Sequence, residues 1–166
     1  NGQTVTGAGF LLNNEMDDFS AKPGVPNMFG VIGGVANEVQ PGKRMLSSMT
    51  PTIIAKDGKP FLVVGSPGGS RIITTVLQVV LNVIDYGMDV QEAVDAPRFH
   101  HQWLPDELRI ERRGFPVDVV KALEALGHKV TAQGDMGDVH AIWIDPKTGM
   151  RCGASGPRLG GRTIGY

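Results

Sequence analysis

The chain has one cysteine, Cys152, which excludes any disulfide within its 166 residues. That lone thiol does not separate an oxidising compartment from a reducing one. Charge of one sign is not in excess: 16 Lys and Arg against 17 Asp and Glu leave a formal net charge of -1. This balance removes the electrostatic case for nucleic acid or an anionic membrane as partner. No apolar run reaches the length of a membrane span. Aromatic residues are few, at 6%. Glycine (23) and proline (11) are plentiful instead, so many backbone positions must be turns or close-approach loops. An initiator Met and a signal peptide are also missing from the start, Asn1-Gly2-Gln3-Thr4, which reads as a chain cut from a precursor or lacking upstream residues.

With 41% hydrophobic residues, the chain can bury a core and is expected to form a single domain over 1–166. Residues 3–6 and 10–12 look like short strands, and 13–18 like a turn or short helix. The stretch 20–42 is a long loop rich in Gly, Pro and Asn, of a kind usually functional or mobile. Apolar runs at 51–55 and 60–65 flank Lys56-Asp57-Gly58-Lys59, a strong hairpin signal. Apolar residues at helical spacing predict a largely buried helix over 70–86, with Ser70 as its cap. A short helix follows over 90–96, stopped by Pro97. Leu108 and Ile110 alternate with charges in a strand, and a helix over 116–126 should turn Val117, Val120, Ala122 and Leu123 to the core. Further strands are expected at 130–133, 139–144 and 150–152. This order suggests an α+β protein with helices packed on antiparallel sheets.

Three polar segments carry chemical potential. Asn13-Asn14-Glu15-Met16-Asp17-Asp18-Phe19 puts three carboxylates in four positions, suited to an ammonium or a metal, or else a solvated acidic turn. An EF-hand loop is excluded by the missing Gly and distal Glu. Leu46-Ser47-Ser48-Met49-Thr50-Pro51 offers two adjacent hydroxyl donors for a carboxylate, or ordinary turn chemistry. Gly65-Ser66-Pro67-Gly68-Gly69-Ser70-Arg71-Ile72 joins a strand to a helix, and its bare N–H groups favour an anion. It lacks the Gly-Lys-Ser/Thr of a phosphate loop and the third Gly of a dinucleotide fold, so a tight structural turn is the competing reading. His100 and His101 lack companions for zinc and read as structural, His140 reads as a side chain on one sheet face, and Cys152 has no neighbouring base. Arg44, Arg71 and Arg98 are candidates to pair with buried carboxylates.

In this order and spacing, the three segments resemble the small subunit of the γ-glutamyltranspeptidases, over essentially the whole chain. Ala96-Pro97-Arg98-Phe99-His100-His101-Gln102 and Gly165-Tyr166 fit as well. The resemblance implies part of a four-layer αββα sandwich of the N-terminal nucleophile hydrolase type, with 1–166 as the C-terminal part of the catalytic subunit. It implies a self-cleaving precursor, a large-subunit partner and a periplasmic or secreted location. It also implies γ-glutamyl transfer from glutathione and similar amides to water, an amino acid or a peptide, with no metal or organic cofactor. Gly68 and Gly69 would form the oxyanion hole, Ser47 and Ser48 would hold the substrate carboxylate, and Glu15 and Asp18 its ammonium. Residues 23–34 would be the lid loop, with Phe29 where some relatives carry Tyr. The family's nucleophilic Thr opens its small subunit, whereas Thr4 and Thr6 lie too close to the Leu-Leu-Asn-Asn motif to be that residue. The chain alone is therefore expected to be inactive. Near the C-terminus Gly156-Pro157-Arg158 stands where the family usually has Asp-Pro-Arg, which is expected to weaken anchoring of the tail. The alternatives are an acylase of the cephalosporin or polyglutamate type and a noncatalytic assembly module of the same fold.

Overall fold

The structure is a computed structural model and describes residues 3–165. Tyr166, one of the residues carrying the resemblance, lies outside them. The chain divides into two compact units, Asn1–Ser48 and Met49–Tyr166.

The first unit is built from turns. The expected strands at its start reduce to one antiparallel bridge, Thr4 with Leu11, because Gly7 and Gly9 both take positive φ and leave no room for a longer ladder. A 3-10 turn spans Glu15–Asp18, and a second spans Val35–Asn37. Asn37 ties the unit together. Its Nδ2 donates to the Asp18 carbonyl (2.6 Å), its carbonyl accepts from Ser20 N (2.9 Å) and its Oδ1 accepts from Leu46 N (2.9 Å). The loop 23–34 is an ordered hairpin: Gly24 N donates to Gly33 O, and Pro26 bridges Ile32.

The second unit holds the core. The Asp-Gly signal is realised as a turn with both residues at positive φ (52° and 74°), joining β1 (Thr52–Lys56) to β2 (Lys59–Gly65). β6 (His140–Ile144) and β7 (Arg151–Ser155) complete an antiparallel sheet in the order β1-β2-β6-β7. Its register places Thr52, Val64, Ala141 and Ala154 in one row, and Ile54, Leu62, Trp143 and Cys152 in the next. Against these rows pack α1 (Ile72–Ile84), through Ile72, Val76 and Val79, and α2 (Val90–Asp95), through Val90, Ala93 and Val94. α2 starts with a capping box in which Asp89 accepts from Gln91 N and Glu92 N.

A second sheet has the order β3-β4-β5, from β3 (Phe99–His100), β4 (Leu108–Glu111) and β5 (Val130–Gln133). β4 and β5 run parallel, with α3 (Val117–Ala125) as the crossover. This sheet is therefore mixed rather than antiparallel.

Three local expectations are corrected. α1 is buried only on its inner face; Ile73 and Leu77 on its outer side remain 61% and 52% exposed. α3 contributes no buried residue, and Val117 is 70% exposed. Ser70 does not cap α1; its hydroxyl donates instead to Gln102 Oε1 (2.8 Å). A 3-10 turn, Gly69–Arg71, feeds the helix and takes over the role of the cap.

Among the described residues no helix is long and apolar enough to cross a membrane.

Candidate active site

In the first unit the site residues gather around Asp18. In a 3-10 turn, side chains three apart eclipse, so Glu15 and Asp18 share one face while Asp17 points elsewhere. Asn37 draws Leu46 to this turn, and two residues later the Ser48 hydroxyl donates to Asp18 Oδ1 at 2.8 Å. Asp18 and Ser48 are thus brought into contact across thirty positions of chain. Asp18 Oδ2 is buried and has no hydrogen-bond partner among the described residues. A carboxylate with one oxygen fixed by a hydroxyl and the other unengaged is an oriented acceptor for a cationic donor. Glu15 is anchored through its backbone, its N–H donating to Asn13 Oδ1 at 3.0 Å. Ser47 precedes Ser48 on the same extended segment. Phe29 sits at the tip of the 26–32 hairpin, 44% exposed. Asn27 Oδ1 holds that tip by accepting from both Phe29 N and Val31 N.

In the second unit the glycine turn leaves β2 at Gly65 and enters α1 at Ile72. Gly68 has φ 145° and ψ 12°, and Gly69 has φ 58°. The first conformation is closed to residues with a Cβ, and the second is left-handed. Neither glycine amide makes a backbone hydrogen bond among the described residues. Both sit where a chain enters a helix, and unengaged amides there favour negative charge.

Behind the turn lies the segment 136–138, which the sequence reading did not single out. Ser66 Oγ donates to Pro67 O (2.7 Å) and accepts from Asp138 N (3.1 Å). Gly137, at φ 65°, has no space for a side chain, since a methyl group there would fall 2.5 Å from Ser66 Oγ and 3.1 Å from Pro67 O.

Deeper still is a buried polar cluster, also missed. Glu111, 4% exposed, accepts four hydrogen bonds. Met136 N and Arg158 Nε reach Oε1 at 2.7 Å each, while Arg98 N (2.9 Å) and Arg158 Nη2 (2.7 Å) reach Oε2. Burial pushes its pKa up, but the hydrogen bonds from Arg158 and Met136 outweigh that and leave it below the ordinary value. Arg158 is raised: burial opposes, and its hydrogen bond and charge pairing with Glu111 prevail. Of the three arginines named from sequence, Arg98 is the buried one. Its guanidinium donates to the Met136 and Val94 carbonyls, both at 2.6 Å, rather than forming the cluster's ion pair. Burial and the neighbouring charge of Arg158 lower its pKa to about 10, so it stays charged at neutral pH.

This cluster corrects the expectation for the tail. The glycine of Gly156-Pro157-Arg158 sits in a tight place: a methyl group at Gly156 would lie 2.7 Å from Asp138 Oδ1 and 3.2 Å from Val139 N, so the Asp138 side chain would have to shift. The tail is anchored all the same, by the paired hydrogen bonds between Arg158 and Glu111.

His100 is structural, as expected. Its Nδ1 contacts Thr74 Oγ1 (2.8 Å) and its Nε2 contacts Gln102 Oε1 (2.9 Å). Those partners fit a neutral ring that carries its proton on Nε2. Burial, aided by the charges of Arg71 and Arg109, holds its pKa below the ordinary 6.5. The unfolded chain therefore takes up a proton that the folded one refuses, and stability falls as pH drops below about 6.5. Glu111, with its pKa lowered from 4.5, adds a second loss that begins below that value and ends once pH has passed its folded pKa. Urea midpoints measured against pH should show both stages, and His100→Gln should remove the first alone.

A family model described as gamma-glutamyltranspeptidase matches residues 1–166. The chain belongs to the gamma-glutamyltranspeptidase family. The glutathione hydrolase proenzyme of Escherichia coli K12 is 62% identical over 160 residues, covering 96% of this chain. The chain spans only 27% of that relative's length. A solved structure of a mutant Helicobacter pylori gamma-glutamyltranspeptidase superposes with a TM-score of 0.86 at 61% identity, covering 94% of this chain and 85% of that one. Cephalosporin acylase from Bacillus halodurans is more distant, with a TM-score of 0.67 at 35% identity over 74% of this chain and 23% of its own. The α+β fold is thus of the N-terminal nucleophile hydrolase type, and this chain forms part of its αββα sandwich.

Proposed function

We propose that the protein carrying this chain hydrolyses γ-glutamyl amides, glutathione among them, and transfers the γ-glutamyl group to amino acids or peptides. The observation that carries this reading is the Gly68–Gly69 turn, whose two amides make no backbone hydrogen bond among the described residues and whose first member holds a conformation that favours glycine. A threonine hydroxyl attacks the γ-carbonyl carbon, and the carbonyl π electrons move onto oxygen. The Gly68 and Gly69 N–H groups stabilise that oxyanion. Collapse expels the amine, which takes a proton, and leaves a γ-glutamyl ester. Water or an acceptor amine then attacks the ester and restores the hydroxyl. Asp18, with Glu15, takes the substrate ammonium, and Ser47 and Ser48 take its α-carboxylate. The hairpin bearing Phe29 serves as the lid, without the hydroxyl that a Tyr would bring. The partner is the large subunit of the same precursor, and the location periplasmic or secreted.

The oriented Asp18 carboxylate favours γ-glutamyl over glutaryl substrates, since only the former carries an ammonium. In the protein assembled with its large subunit, Asp18→Asn keeps an acceptor for Ser48 but removes the charge. KM for a γ-glutamyl anilide should rise by about 10- to 100-fold, the worth of a hydrogen bond to a charged group. Cleavage of the glutaryl anilide should be unaffected. Equal cleavage of both anilides by the unaltered protein would establish the acylase alternative, and cleavage of neither would establish the noncatalytic one.

A further inference from the structure

We propose that Glu111 is a positioning residue for the oxyanion turn, holding Gly68 and Gly69 in register through the 136–138 segment and Ser66. The inference rests on the reading of that turn as the oxyanion hole.

The connection is continuous and short. Glu111 Oε1 accepts from Met136 N at 2.7 Å, which fixes the first residue of the segment. Met136 is itself 1% exposed, and its carbonyl is held from the other side by Arg98 Nη1. Gly137 lies against the turn backbone to backbone: a Cβ on Gly68 would meet Gly137 Cα at 3.6 Å, and one on Gly137 would meet Pro67 O at 3.1 Å. Asp138 N then donates to Ser66 Oγ, whose hydroxyl donates to Pro67 O, one residue before the glycine pair. The links from Glu111 through Met136 and Asp138 to Ser66 are buried, so water does not replace a broken one at low cost; only Pro67, where the chain of contacts meets the turn, is exposed.

The turn cannot hold itself. Gly68 and Gly69 carry no side chain to lock them, and glycine has the widest conformational freedom of any residue. Among the described residues the turn's own backbone hydrogen bonds run from Arg71 N to Gly68 O at 3.2 Å and from Ile72 N to Gly69 O; both engage glycine carbonyls and neither engages a glycine amide. The direction of the two amides is therefore set by what stands behind them, and that wall is fixed by Glu111. The carboxylate is suited to the task because all four of its hydrogen bonds are made, two per oxygen, so that it has one stable orientation.

The test uses the full protein and a γ-glutamyl anilide. Glu111→Gln keeps the shape but turns one acceptor into a donor facing donors. In the folded fraction kcat should fall about tenfold or more, with KM within twofold, because misplacing oxyanion donors by a fraction of an ångström affects the transition state and not the bound substrate. A merely structural residue would lower the unfolding midpoint and leave the kcat of folded enzyme unchanged. Should Glu111→Gln not fold, Ser66→Ala decides. It removes the link next to the turn without stranding a charge, and kcat should fall about three- to tenfold at constant KM. A folded Glu111→Gln with kcat within twofold of the parent, or the same result for Ser66→Ala where the first variant does not fold, overturns the inference. Gly68→Ala run in parallel separates the two layers. If it too leaves kcat intact, the oxyanion reading has failed; if it alone lowers kcat, only the role of Glu111 has.

Discussion

Gly68→Ala should lower kcat for γ-glutamyl transfer by about 10²- to 10³-fold, the loss typical when an oxyanion donor is removed. The cause is backbone conformation and not crowding, since the nearest atom to a new methyl group, Gly137 Cα, lies at an ordinary 3.6 Å. At φ 145° an L residue is forced to leave, and the strain it would otherwise carry is about 1–3 kcal/mol. The turn relaxes and its amides rotate away from the reacting oxygen. KM should change little, because the substrate's ammonium and carboxylate are held by other residues on the proposed reading. Gly69→Ala supplies the internal comparison. Its φ of 58° lies in the left-handed region, which an alanine enters for roughly 1–2 kcal/mol, so its loss of kcat should be the smaller. Steady-state kinetics on both variants measure this, and the reverse ranking would show that the two amides are not set by backbone conformation.

Arg98→Ala should cost about 2–5 kcal/mol of stability, the cost typical of a large buried side chain removed together with its hydrogen bonds. Arg98 is 1% exposed and bridges the carbonyls of Met136 and Val94 at 2.6 Å each. Truncation removes the Arg98 donor from the Met136 carbonyl, leaves Val94 O only its longer bond from Arg158 Nη1 (3.1 Å), and opens a cavity. Arg98→Met restores most of the volume but none of the donors, and should recover only part of the loss. Arg98→Lys carries the charge but not the fork needed to reach two carbonyls, and should fall between the parent and alanine. Urea unfolding reports these differences as shifts in midpoint at constant slope. A loss below about 1 kcal/mol for alanine would mean that water or neighbouring donors satisfy the carbonyls.

Much of this was legible in the chain, where one residue pattern admits one backbone solution. Asp57-Gly58 between apolar runs gave a tight hairpin, and the strand–glycine–helix reading of 60–86 matches β2, the turn and α1, which ends two residues earlier at Ile84. Asp18 and Ser48 were named from separate motifs, and the structure joins them through Asn37, whose role no spacing announces. What stayed hidden depended on contacts remote in sequence. Alternation in Leu108-Arg109-Ile110-Glu111 suggests an outward Glu111, yet the carboxylate is buried at the strand's end to meet Arg158, 47 positions away. α3 shows the limit of periodicity. Its apolar spacing is helical, but in this chain it covers only the edge of a small sheet and buries no side chain. The parallel β4–β5 pair likewise follows from where a crossover helix returns, which local pattern does not specify.

The order of the main sheet bears on synthesis. β2 is flanked by β1, made just before it, and by β6, made long after it, with Val63 paired to Ile142. Gly68 and Gly69 leave the ribosome together with the strand that precedes them, at a point when their backing at Gly137 does not yet exist. A nascent chain ending before that glycine holds the hairpin and both helices of the core, with a glycine turn that has nothing to lean on. Contacts so distant in sequence are slow to form. The part of the molecule assigned to the reaction thus takes its shape only after the segment that backs it, far downstream in sequence, has been made.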